Sequence, residues 1–200
     1  MLATERPVPE LMTQFDRIIP GALRAVPRQW QAARHLALLA ALTAASAPVL
    51  ALIYHVLGFD AAGMVVLTGA SVMMVAPFTL NAGFSLASAR NLFIAALFVL
   101  KVWLALHLGG VGASTVPWFA LCPMIALLLG GLRAGMVWGG IVLATLAALF
   151  AAERGGVPME AFPVSDPSLL ALVSSIGLVV LGSVIVALAA NAVPAERRHK

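Results

Sequence analysis

Charge is what this sequence has least of. Only 10% of its 200 residues are charged, 12 basic and eight acidic, where a soluble domain carries about 25%. So few charges cannot clothe a water-soluble surface on a chain that is 62% hydrophobic. A polytopic membrane protein is the class that fits. Cysteine is nearly absent too: Cys122 stands alone, which excludes an internal disulfide and any multi-cysteine metal site. The apolar runs lack period-two alternation, which excludes a transmembrane barrel. There is no phosphate loop, no nucleophile elbow and no His-Glu-x-x-His, so no catalytic residue is expected and the chain does not read as an enzyme. The basic residues are scattered over the termini and short loops without a recognition motif, which argues against nucleic acid as a partner.

What is present is a series of apolar runs long enough to cross about 30 Å of hydrocarbon. Six are predicted: Leu36–Leu57, Ala61–Phe78, Leu92–Leu108, Pro117–Leu129, Ala134–Ala152 and Leu169–Ala190. The connections between them are too short to hold a domain. The expected fold is therefore all-α: a polytopic integral membrane bundle of six transmembrane helices over residues 35–192, with a basic segment at 1–34 and a basic tail at 193–200.

With this count, ten of the 12 basic residues fall on one side of the membrane: Arg6, Arg17, Arg24, Arg28, Arg34, Arg90, Arg133, Arg197, Arg198 and Lys200. The other side has Arg154 and four acids, Asp60, Glu153, Glu160 and Asp166. The positive-inside rule then predicts both termini in the cytoplasm of a bacterial inner-membrane protein. The first charged segment is too polar for a signal peptide. Leu11, Phe15, Ile18, Ala22 and Val26 recur at helical spacing with Arg17, Arg24 and Arg28 between them. That pattern predicts an interfacial amphipathic helix on the anionic inner leaflet, kinked near Pro20, against the alternative of a disordered basic tail.

Gly131, Gly135 and Gly139 recur every four residues, and the last span carries Ser174, Ser175, Gly177, Gly182 and Ser183. Small residues at such spacing let helix backbones approach, so Gly131, Gly135, Gly139, Ser175 and Gly182 are expected at packing contacts, within the chain or between copies of it. Pro123 removes a helical hydrogen bond from the Phe119 carbonyl. Such a break either lines a pocket or is only a kink.

Lys101 is the one charge inside an otherwise apolar span, where a lysine costs about 2.5–3.5 kcal/mol on insertion scales. A retinal Schiff base is excluded, since that needs seven helices with the lysine on the last and here it lies on the third of six. Two readings remain. In one, Lys101 snorkels to the headgroups and the nearby tryptophans are interface anchors. In the other, Lys101 with Trp103, His107, Trp118, Phe119 and Cys122 lines an aromatic ligand pocket. His55 and His107 fall near the same membrane face, but two histidines without a carboxylate do not make a metal site. The sequence requires no cofactor; a quinone or a lipid is compatible with such a pocket.

The stretch from Gly109 to Trp138, with Gly109-Gly110, Ser114-Thr115, Pro117-Trp118, Pro123, Gly130-Gly131-Leu132-Arg133 and Trp138, resembles the six-span membrane input domain of bacterial sensor histidine kinases, including the RegB type. Similar domains precede some membrane-anchored nucleotide cyclases. The resemblance implies a sensory, two-component signal-transduction role, quinone sensing after the Gly-Gly turn, and relay to a cytoplasmic output domain or partner. Only Gly109, Gly110, Pro117 and Trp118 carry over to that quinone-sensing segment, which here has a longer insert and no Asn. The expected function is thus a sensory input module for a small apolar or amphipathic ligand. The alternatives are an accessory subunit of a larger membrane complex, covered by a protein partner or a second copy in the bilayer, and the six-span substrate-binding component of a small-molecule transporter.

Overall fold

The computed structural model describes residues 21–157, 159 and 162–192. Most of the anticipated interfacial helix and the whole 193–200 tail lie outside the described residues. Within them, Gly21–Ala25 forms a 3-10 turn.

Every regular element among the described residues is helical, and five helices are long and apolar enough to cross a membrane. Helix α1 (Pro27–Val56) starts on Pro27, whose missing N–H is no loss in a first turn and whose fixed φ suits one. It ends where Gly58 takes φ 79°, a conformation favourable only for glycine. The Phe59 N–H then reaches back to Tyr54 O at 2.8 Å and the Gly58 N–H to His55 O at 3.0 Å, which satisfies the last carbonyls. The chain reverses directly into α2 (Asp60–Val75). The two helices share the most extensive interface in the fold, and Gly63 permits it: a Cβ there would lie 3.0 Å from Ala51 O.

A 3-10 turn, Ala76–Leu80, leads to α3 (Leu86–His107), capped by Ser85, whose Oγ accepts from the Ser88 N–H at 3.1 Å. Two further 3-10 turns, Gly110–Gly112 and Val116–Ala120, precede α4 (Leu121–Arg154), and α5 (Pro167–Ala192) completes the bundle. Large side chains such as Leu52, Met64, Leu143 and Val179 point outward and are more than half exposed, an outer surface compatible with lipid.

Helix α4 is not one rod. Gly131 breaks it, with φ 77° and ψ −173°, a region open essentially to glycine alone. Residues 121–130 and 132–154 fold back on each other from that point. A Cβ on Gly135 would lie 3.1 Å from Leu127 Cβ, and one on Gly139 would lie 3.9 Å from Pro123 Cβ. Residues 16 apart on a straight helix would be about 24 Å apart. The Val111 N–H also donates to Glu153 Oε2 at 3.4 Å, which brings the end of the second arm back beside the start of the first.

This arrangement sorts the glycine pattern. Gly135 and Gly139 serve close packing, inside the hairpin. Gly131 makes the turn and packs on nothing. In α5 no atom lies within 4 Å of a Cβ built on Gly182, and Ser175 is exposed, with its hydroxyl donating to Ala171 O at 2.8 Å. Neither is at a helix contact among the described residues.

Candidate functional site

The α3 face that carries Lys101 turns inward. Leu100, Lys101, Leu104 and Ala105 are all buried, Lys101 at 6% exposure, so its stem does not climb to the surface. Its ammonium Nζ sits 4.1 Å from the centre of the Trp118 ring, within cation–π range.

Trp118 is fixed from the other side. Its indole Nε1–H donates to Ser174 Oγ at 2.8 Å and to Ser174 O at 3.1 Å. The Ser174 hydroxyl donates onward to Ser114 O at 2.8 Å. Gly177, one turn further along α5, makes room for the indole: a Cβ there would meet Trp118 Cζ2 and Cη2 at 2.8 and 2.9 Å. A run of four residue contacts thus ties α3, the 3-10 turn before α4, and α5 together.

These residues border a cavity of about 340 Å³, which occupies the seam where α1 and α5 do not pack closely. That is within the ~300–1,000 Å³ typical of small-molecule sites. Its wall is mainly aliphatic, with Val66 and Met73 from α2, Leu97 and Leu104 from α3, and Leu170 from α5. At its mouth stand Val49, Ile176 and Val180, each more than half exposed, so the cavity opens on the outward-facing apolar surface.

Three polar groups on the wall have no hydrogen-bond partner among the described residues. Thr115 Oγ1 is fully buried with no hydrogen-bond partner. Among the described residues, neither Lys101 Nζ nor the hydroxyl of buried Tyr54 makes a hydrogen bond, and no acidic side chain lines the cavity. Buried polar groups are normally paired. Here three donors border one apolar space with no acceptor assigned to them.

Of the six residues anticipated as a ligand pocket, Lys101 and Trp118 line the cavity. The other four do not line it. Trp103 and His107 stack on each other at 4.1 Å, with His107 Nδ1 at 2.8 Å from Trp103 O, and join Phe59 and Phe162 in an aromatic cluster at the far end of α3. Phe119 is buried edge-on to Phe98 at 5.8 Å, and Cys122 is buried in the core. Pro123 lies in the first turn of α4, where a missing N–H leaves little unpaired.

His55 and His107 do not form a site together. His55 Nδ1 lies 2.6 Å from Asp60 Oδ1 in an exposed pair. No group of three metal-ligating side chains occurs among the described residues. Tyr54, Thr115 and Ser174 belong to the site and were not singled out as ligand residues by the sequence pattern. No known protein family, curated protein or solved structure matches this chain.

Proposed function

We propose that this chain is a six-pass membrane module that binds a small amphipathic molecule through Lys101 and passes the bound state to a cytoplasmic output domain or partner. The carrying observation is the buried Lys101 beside Trp118, with no acidic side chain on the wall, in a cavity that is mainly aliphatic. An ion there is expensive unless something compensates it. A head group with acceptor oxygens, a carboxylate or a paired carbonyl as in a quinone, would take hydrogen bonds from Lys101, Thr115 and Tyr54. Its apolar body would lie along the aliphatic wall and enter from the bilayer between α1 and α5.

The count of six is supported by the fold-back at Gly131, if the two arms of the α4 run each cross the bilayer. In this reading the end with Arg90 and Arg133 faces the cytoplasm of a bacterial inner membrane and the end with Glu153 and Asp166 faces out, as the charge bias asks. The sensory role is supported by the position of the cavity. It lies at a loosely packed seam, so a ligand that fills it favours one arrangement of α5 over another.

The test pairs stability with binding in the Lys101→Met protein. A bromine-labelled long-chain fatty acid and a short-tailed quinone are titrated against tryptophan fluorescence, which the label or the quinone ring quenches at Trp118. Loss of one charge-assisted hydrogen bond, about 1.5–3 kcal/mol, weakens binding by roughly 10- to 150-fold. Stability holds or rises, because the insertion cost of about 2.5–3.5 kcal/mol exceeds the ~2 kcal/mol of a desolvated cation–π contact. Equal affinity of both proteins for both probes would sink the reading.

A further inference from the structure

A second cleft lies at the opposite end of the bundle and uses none of the Lys101 pocket. It measures about 360 Å³ and is lined by Arg90, Asn91, Gly130, Arg133, Ala134, Val137 and Trp138. Arg90 and Asn91 come from the start of α3. The rest come from the Gly131 turn and the arm that follows it.

Arg90 is held in a set orientation. Its Nε and Nη2 donate to Asn91 Oδ1 at 3.2 and 3.1 Å, and the Trp138 indole Nε1–H reaches the same oxygen at 3.5 Å. The free Nη1 edge of the guanidinium lies over Gly130, where even a Cβ would collide with it. Asn91 supplies an acceptor but no charge. Among the described residues neither Arg90 nor Arg133 is paired with a carboxylate. The described acids Asp60, Glu153 and Asp166 lie at the other end of the bundle, beside His55, Val111 and Leu169.

Arg90 and Arg133 line one small cleft, and no carboxylate stands beside them to balance their charge among the described residues. An anion with several oxygens would balance that charge and accept from the N–H groups that make no bond within the chain. A phosphate fits best, because its oxygens match the arginine fork. Trp138 is an aromatic of the kind found at headgroup level. Met136, Val137 and Ile141, all outward-facing, continue from the cleft along the second arm of α4 as a path for an acyl chain.

We propose that Arg90 and Arg133 form a phosphate-binding clamp that seats the phosphodiester head of an anionic phospholipid and so fastens the Gly131 turn to α3. Inorganic phosphate shares the head-group chemistry, and the experiment separates the two.

The full chain is delipidated in detergent and offered mixed micelles of phosphatidylglycerol and phosphatidylcholine, or inorganic phosphate alone. Retained ligand is read by native mass spectrometry. Phosphatidylglycerol should be retained in preference to phosphatidylcholine. Arg133→Gln, at an exposed position, should lower that retention roughly fivefold, the factor for one arginine near an anionic surface. Arg154→Gln, equal in charge but at the other end, should not. Binding of inorganic phosphate that depends on Arg133, with no preference between the lipids, would keep the clamp and make the free ion its ligand. Neither phosphatidylglycerol preference nor Arg133-dependent phosphate binding, or an equal loss in Arg154→Gln, overturns the proposal.

Discussion

A single methyl group at Gly177 tests how tightly the Lys101 site is built. In an ordinary helix Gly→Ala stabilises by about 0.5–1 kcal/mol. Here the new Cβ would lie 2.8 and 2.9 Å from Trp118 Cζ2 and Cη2, well inside the ~3.5–4.0 Å of comfortable carbon contact. The indole is a rigid plate held at Nε1 by Ser174, which is on the same helix as Gly177. Backing α5 away stretches both hydrogen bonds, and tilting the ring moves it off the Lys101 ammonium. Overpacking costs about 1–3 kcal/mol, and a lost indole hydrogen bond adds about 1 kcal/mol. At roughly 2–4 °C per kcal/mol for a chain of this size, Gly177→Ala should lower Tm by about 4–16 °C in detergent, followed by near-UV circular dichroism. Trp118→Phe removes the two colliding carbons. In that background the same alanine should be neutral or slightly stabilising, a coupling of roughly 2–3 kcal/mol between contacting positions. A Gly177→Ala protein with unchanged Tm would refute the packing, as would an equal loss in both backgrounds.

Gly131→Ala should destabilise by about 1–3 kcal/mol, because its backbone region is strained for any side chain; thermal melts compare it with Gly140→Ala, where a Cβ meets open space. Gly135→Leu should lower Tm by pressing on Leu127, while Gly182→Leu, with nothing within 4 Å of its Cβ, should leave Tm unchanged; the reverse order would mean that the hairpin arms do not touch. For the six-pass topology, Val157→Cys should react with a membrane-impermeant maleimide added outside intact cells and Ala82→Cys should not. Cys122 is buried and gives little background; the opposite pattern would invert the orientation.

The apolar runs were legible because hydropathy is a property of composition, but helix ends were not. Helix α1 begins at Pro27 rather than Leu36 and α3 at Leu86 rather than Leu92. Proline and a serine cap set those starts, and both lie outside the stretch that hydropathy can see. The Gly130-Gly131-Leu132-Arg133 stretch was readable as a turn. That one residue of it would do the turning, while its neighbours stay helical, depends on a single pair of dihedral angles.

The site was half legible for a related reason. A lone lysine in an apolar run is conspicuous in any sequence. Its polar neighbours are not, because hydroxyls in apolar helices usually bond to their own backbone one turn back, as Thr43, Thr68, Ser71 and Thr145 do here. Ser174 and Ser175 are adjacent and chemically identical. Ser175 bonds within its helix, while Ser174 links Trp118 to Ser114. Only the rotation of α5 about its axis decides which serine does which.

The links from α5 and the segment before it to the rest of the bundle gather at one end. The Phe162 N–H donates to His107 O at 3.1 Å, the Ser165 N–H to Leu57 O at 3.1 Å, and Ser174 engages Trp118. Beyond Gly177, Leu181, Ile185 and Leu188 pack on the apolar core, and contacts of that kind have no hydrophobic preference over lipid in a bilayer. Mechanically, this is a lever with its pivot beside the Lys101 cavity. From Ser174 to the end of α5 at Ala192 is 18 residues, about 27 Å at 1.5 Å per residue. A tilt of about 4° at the pivot would therefore swing the far tip by about 2 Å, so under the proposed sensory reading a small adjustment around Trp118 would be felt at the far end of α5.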